Sequence, residues 1–105
     1  MYRNFKRGDS IEYKKFVKSV FERDHYKCVI CKKRKKINAH HLNGWHWYPQ
    51  GRLNPDNAVT LCAGRNSCHA LFHQMFDNKN NTKQQFDQFA CFQKTRLQGQ
   101  NRGKK

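Results

Sequence analysis

Two cysteine pairs limit what this chain can become more than any other feature. Cys28-Val-Ile-Cys31 and Cys62-x5-Cys68 stand in a sequence that is only 36% apolar and 28% charged. At 105 residues the chain reads as one domain, and it buries roughly two thirds of its unfolded surface at best. A core that thin needs a staple. The N-terminal MYRNFKRGDS lacks a signal-peptide apolar run, and no stretch approaches the ~18 apolar residues of a membrane span. The expected setting is a reducing cytoplasm with no membrane, where paired cysteines serve as metal thiolates rather than disulfides. Four soft donors make tetrahedral Zn²⁺ the expected occupant. Four thiolates leave no open position for chemistry, so this zinc is structural. The leftover Cys91 reads as a plain helix residue with a free thiol.

Histidines are nested among the cysteines: His40-His41, then Asn57, then His69-x3-His73. His69 and His73 lie four apart in Cys68–Phe76, a segment that reads as a helix, so both imidazoles share one face. That is the geometry two imidazoles need to share a metal. His40 and His41 are consecutive in the strand-like Ile37–Leu42, so their side chains leave opposite sides. One can complete a three-histidine site, and the other can stand beside it as a general base. Three neutral imidazoles leave a divalent ion's charge uncompensated, which suits polarising a phosphodiester. Cys68 and His69 point about 100° apart around one helix, so a single turn can serve both sites.

A net charge of +15, from 22 Lys+Arg against 7 Asp+Glu, calls for a strongly anionic partner, most simply double-stranded DNA. The densest basic run, Lys32-Lys33-Arg34-Lys35-Lys36, contains no apolar residue, unlike a membrane-lying helix with its apolar face. The run is either a solvated loop or a phosphate grip beside an active site. Arg65, in the loop between Cys62 and Cys68, is a further candidate for phosphate contact.

Along the chain, residues 1–9 form a basic arm, 10–92 the domain and 93–105 a basic tail, disordered without a partner. Asp9, with Glu12 at capping-box spacing, is expected to start an amphipathic helix over 10–23. Asn43-Gly44 signals a turn into a long ordered loop, 43–57, pinned by Trp45, Trp47 and Tyr48. His46 there reads as incidental. A short β-prone segment, 58–61, enters Cys62. Ser67 or Asn66 caps the helix from Cys68, which turns Leu71, Phe72 and Met75 to the core. Thr82 with Gln85 repeats the capping-box spacing and opens a last helix to about Phe92.

The pattern His-His-x15-Asn-x11-His-x3-His with two cysteine pairs resembles the HNH endonuclease family, and more narrowly its small phage-encoded and free-standing homing members. The resemblance covers about Phe16 to Asn81. It implies an α+β fold with a ββα-metal (His-Me finger) core, a zinc knuckle and flanking helices. It implies His40, His69 and His73 as ligands of a catalytic divalent ion, His41 as general base, and Asn57 as the residue that orients the base. The implied activity is phosphodiester hydrolysis that nicks or cuts duplex DNA. Its cofactors would be Mg²⁺ or Mn²⁺ in the catalytic site, where Zn²⁺ or Ni²⁺ can also sit, beside the structural Zn²⁺. For a phage enzyme the compartment is the host cytoplasm. Two departures stand out: the wide Cys62–Cys68 step, and Asp77 where related sequences tend to carry glycine.

Other readings fare worse. The helix reads His-Ala-Leu-Phe-His, with no glutamate after the first histidine as an HExxH protease needs. A C2H2 finger joining Cys28/Cys31 to His69/His73 would need a linker far longer than that fold's ~12 residues. The remaining competitor is a non-catalytic zinc-containing DNA-binding module on the same scaffold.

Overall fold

The computed structural model describes residues 10–77 and 80–103, with 98–103 described by backbone alone. The basic arm 1–9 falls outside the described residues. The fold is a small α+β domain: helix α1 (Ile11–Arg23), strand β1 (Ile37–His41), strand β2 (Ala58–Cys62), helix α2 (Cys68–Phe76) and helix α3 (Lys83–Gly103). The two strands pair antiparallel, from Ile37 opposite Cys62 to His41 opposite Ala58. Alternation then assigns the two faces. Phe16 and Val20 of α1 pack with Ala58 and Ala39 on one. Leu61, with Phe72 of α2 and Phe86 and Phe89 of α3, builds the larger core on the other.

A two-stranded sheet has two open edges, and the outer edge of β2 is covered by the chain after α1. Asp24 accepts the Thr60 N–H at 2.9 Å, and the Val29 N–H donates to the Thr60 carbonyl at 2.9 Å. Arg23 holds Asp24 through two 2.9 Å hydrogen bonds and reaches the Pro55 and Ala58 carbonyls at 2.8 and 2.7 Å. Burial would raise the Asp24 pKa, but hydrogen bonds from Arg23 and Thr60 outweigh it and hold the carboxyl below its usual value.

Helix starts follow local chemistry, with one correction. The α1 N-cap is Ser10, not Asp9: its Oγ accepts the Tyr13 N–H at 3.1 Å. Ser67 caps α2 through the Ala70 N–H. Thr82 and Gln85 form a reciprocal box, each side chain accepting the other's backbone N–H at 3.1 Å.

Two further expectations change. The last helix does not stop near Phe92; it continues to Gly103, through most of the stretch assigned to the tail. Phe86, Phe89, Gln93 and Leu97 recur at helical spacing. Gln93 is buried and Leu97 packs against the main core, so the apolar stripe outlasts the aromatic residues that advertised it. Met75 is about half exposed rather than turned to the core. No described helix is long and apolar enough to cross a membrane.

Candidate functional site

Cys28 and Cys31 lie in the turn after α1, Cys62 ends β2, and Cys68 opens α2. Their four Sγ atoms lie within 4.8 Å of one another, and the Cys31–Cys62 pair is 3.6 Å apart. A tetrahedron of ~2.3 Å Zn–S bonds has an edge of roughly 3.8 Å, so the spacing fits. The Cys28–Lys32 turn closes with Lys32 N–H donating to the Cys28 carbonyl at 3.0 Å, and the Cys68 N–H points at Cys62 Sγ at 3.2 Å. Acidity is shared unevenly. A hydrogen bond from the Cys68 thiol, helped by backbone N–H groups, pulls the Cys28 pKa down. Cys68 is pushed up as the donor in that bond and by burial, and Cys31 is raised by burial first. Four thiols packed so closely cannot all ionise alone; a divalent cation among them removes that conflict.

At the other end of the sheet, His40 meets His69 and His73 of α2, and their ring nitrogens lie within 4.8 Å. His69 and His73 face each other through Nε2 at 3.2 Å. Two nitrogens ~2.0–2.1 Å from one metal stand roughly 3.0–3.4 Å apart, so this pair is spaced to share an ion. His73 Nδ1–H donates to the Asp77 carbonyl at 2.6 Å, which leaves the lone pair on Nε2, facing His69. A ligating histidine characteristically donates its other nitrogen this way. His40 is walled by Phe72 and Phe86, and its buried Nε2 has no hydrogen-bond partner. A buried polar nitrogen left unsatisfied needs an explanation, and a metal ion is one that the two neighbouring imidazoles also fit. Burial, then the neighbouring His69 and His73, lowers the His40 pKa to about 3, and burial also lowers that of His69. Both rings are therefore neutral near pH 7, the state a ligand requires.

His41 leaves β1 on the α1 side. Its ring stacks on Phe16 at 5.0 Å and meets the Trp45 edge at 5.5 Å, with Nε2 at 2.9 Å from the Arg52 carbonyl. A carbonyl only accepts, so Nε2 carries the proton and Nδ1 the lone pair. Asn57 holds the loop that supplies this carbonyl. Its Oδ1 accepts the Asn43 N–H at 3.0 Å, and its Nδ2 donates to the Asn43 and Gly51 carbonyls at 2.9 and 3.2 Å. Gly51 is required there: a Cβ would stand 2.6 Å from Asn57 Nδ2.

A cleft of about 200 Å³ opens over this set, lined by His40, His41, His69 and His73, with His46 and Asn81 on its rim. His46, read from sequence as incidental, thus faces the same space as the other four. The basic run does not. Lys32–Lys36 joins the cysteine turn to Ile37, the end of β1 paired with Cys62. At ~3.3 Å per residue it ends about 13 Å from His40. Arg65 lies in the exposed loop at that same cysteine end. The cysteine turn and the histidine cleft thus stand at opposite ends of the two-stranded sheet.

Three supports went unread in the sequence. Arg52 contributes through its main chain, which no side chain announces. Asp77, which stands where the resembled family tends to have glycine, is held at φ 64°, ψ −171°, a region essentially reserved for glycine. Its carbonyl is what fixes His73. Asn81 is buried; its Nδ2 contacts the Asp77 carbonyl at 3.2 Å, while its own carbonyl accepts from Gly44 N–H at 2.9 Å and Trp47 Nε1 at 2.7 Å. It thereby ties the α2 terminus to the loop that carries Gly44 and Trp47.

No family model, no curated protein and no solved structure matches the chain.

Proposed function

We propose that the chain is a metal-dependent DNA endonuclease of HNH type, with β1, β2 and α2 as its ββα-metal core. One observation carries this reading: a three-histidine set with an orphaned buried His40 Nε2 shares a cleft with a fourth histidine whose tautomer is set by a backbone carbonyl. His40, His69 and His73 would hold a divalent ion, a three-imidazole set suiting Zn²⁺ or Ni²⁺ better than Mg²⁺ or Mn²⁺, and the ion would polarise the scissile phosphate and stabilise the leaving oxygen. His41 accepts the proton of the attacking water at Nδ1, because Nε2–H is committed to Arg52. Asn57 orients that base at one remove, by pinning the loop. The four cysteines hold a structural zinc that fixes the N-terminus of α2, and so His69. The +15 charge supports duplex DNA as the substrate.

The test is supercoiled plasmid incubated with wild type and with His41→Ala, in Mg²⁺, Mn²⁺, Zn²⁺, Ni²⁺ or EDTA. Nicking or linearisation that needs both the ion and His41 is expected. Tight duplex binding with no cleavage in Mg²⁺, Mn²⁺, Zn²⁺ or Ni²⁺ would replace this reading with the non-catalytic DNA-binding module.

A further inference from the structure

Away from the histidine cleft, a groove of about 540 Å³ runs between the cysteine turn and α3, lined by Val29, Ile30, Lys32, Lys33, Lys94 and Leu97. Two stretches distant in sequence meet there, and both lack acid: no Asp or Glu lies between Asp24 and Asp56, and none follows Asp87. Lys32, Lys33 and Lys94 are exposed, and among the described residues none of the three is in an ion pair. Lys32 also holds a left-handed backbone, φ 70°, where glycine or asparagine would be less strained. Cations on the rim and an aliphatic floor match a sugar–phosphate backbone, whose phosphates seek the lysines and whose sugars present carbon.

We propose that Lys32, Lys33 and Lys94 form a composite phosphate clamp that anchors a DNA duplex at a fixed distance from the histidine cleft. The helix gives that distance for Lys94, and Lys32 and Lys33 line the same groove. Along α3, Phe86, which packs on His40, precedes Lys94 by eight residues, about 12 Å. A polymer of phosphates can occupy both places at once, whereas a free anion or a single acidic side chain cannot. The partner class rests on the DNA-directed reading above. What is new is that the knuckle and α3 act as one rigid site rather than as two independent basic tails.

The experiment measures binding of a random-sequence duplex without added divalent metal, as a function of salt, for wild type, Lys94→Gln, and the triple variant with Lys32→Gln and Lys33→Gln. Each phosphate contact adds about 0.9 to the log–log salt slope. The triple variant is expected to lose about 2 to 3 from that slope and on the order of a hundredfold in affinity at 0.1 M salt. Zinc content and thermal unfolding should match wild type, because all three side chains are exposed. Neutral methylphosphonates walked along the duplex should weaken wild-type binding at a step about 12 Å from the cut. At that same step they should leave Lys94→Gln unaffected. An unchanged slope in the triple variant, or no duplex binding by wild type, overturns the clamp; so does binding to anionic vesicles or an acidic peptide in place of DNA. Duplex binding that depends on Lys94 in a protein that never cuts supports the clamp and sinks only the nuclease reading.

Discussion

His41 donates from Nε2 to the Arg52 main-chain carbonyl at 2.9 Å, and that bond assigns the ring's lone pair to Nδ1. The acceptor is backbone, so substituting Arg52 should leave the tautomer intact provided the loop keeps its course.

His41→Ala is therefore expected to cut the plasmid cleavage rate by ~10²-fold or more while zinc content and duplex affinity stay near wild type. Asn57→Ala should also slow cleavage, and in addition lower the melting temperature, because Asn43 and Gly51 lose buried partners. Single-turnover rates at saturating Mn²⁺ check both. Wild-type cleavage by His41→Ala would move the base elsewhere, with His46 the next position to test.

The cysteine cluster should hold about one tightly bound zinc, released slowly to chelator with loss of fold. Cys62→Ser should unfold the domain, since a structural zinc contributes folding energy directly. His40→Ala should keep that zinc and the fold while weakening a second, exchangeable metal. Elemental analysis that finds no zinc in folded protein would refute the structural site.

Asp77→Gly should stabilise the protein. The backbone at φ 64°, ψ −171° costs a non-glycine residue about 1–3 kcal/mol, and glycine's extra unfolded-state freedom returns roughly 1 kcal/mol of that. A small rise in melting temperature is expected. The bond from His73 to the Asp77 carbonyl should survive, since it needs no side chain. A fall in melting temperature would show that the Asp77 side chain carries more than the strain costs.

Acid should destabilise the protein, as the His40 environment requires. Its folded pKa lies near 3 against an ordinary value near 6.5. Between those limits the unfolded chain binds a proton that the folded chain refuses. Stability is then fully present above about pH 6.5 and is lost as pH falls, by up to ~1.4 kcal/mol per pH unit for this one group. The lowered His69 pKa adds in the same direction. The difference in unfolding free energy between wild type and His40→Gln, followed from pH 7 to 4 without added metal, isolates the effect. A flat difference would place His40 in a more solvated setting than the structure gives it.

Local pattern determined a good deal of this protein. The 3.6-residue stripe of α1, the opposed side chains of His40 and His41, the shared face of His69 and His73, and the Thr82–Gln85 box all depend on near neighbours in the chain, so periodicity alone specifies them. The spacing of the cysteines likewise identified a donor set. Tertiary structure decided what depends on distant segments meeting. The basic run lies about one strand length from the histidines, because the strand, not the charge, sets that distance. The last helix outran its aromatic residues, because burial of Gln93 and Leu97 against the core overrode a composition that resembles a disordered tail. The carbonyls of Arg52 and Asp77 orient His41 and His73 although every residue carries a carbonyl. Only the folded path of the backbone determines which ones a ring can reach.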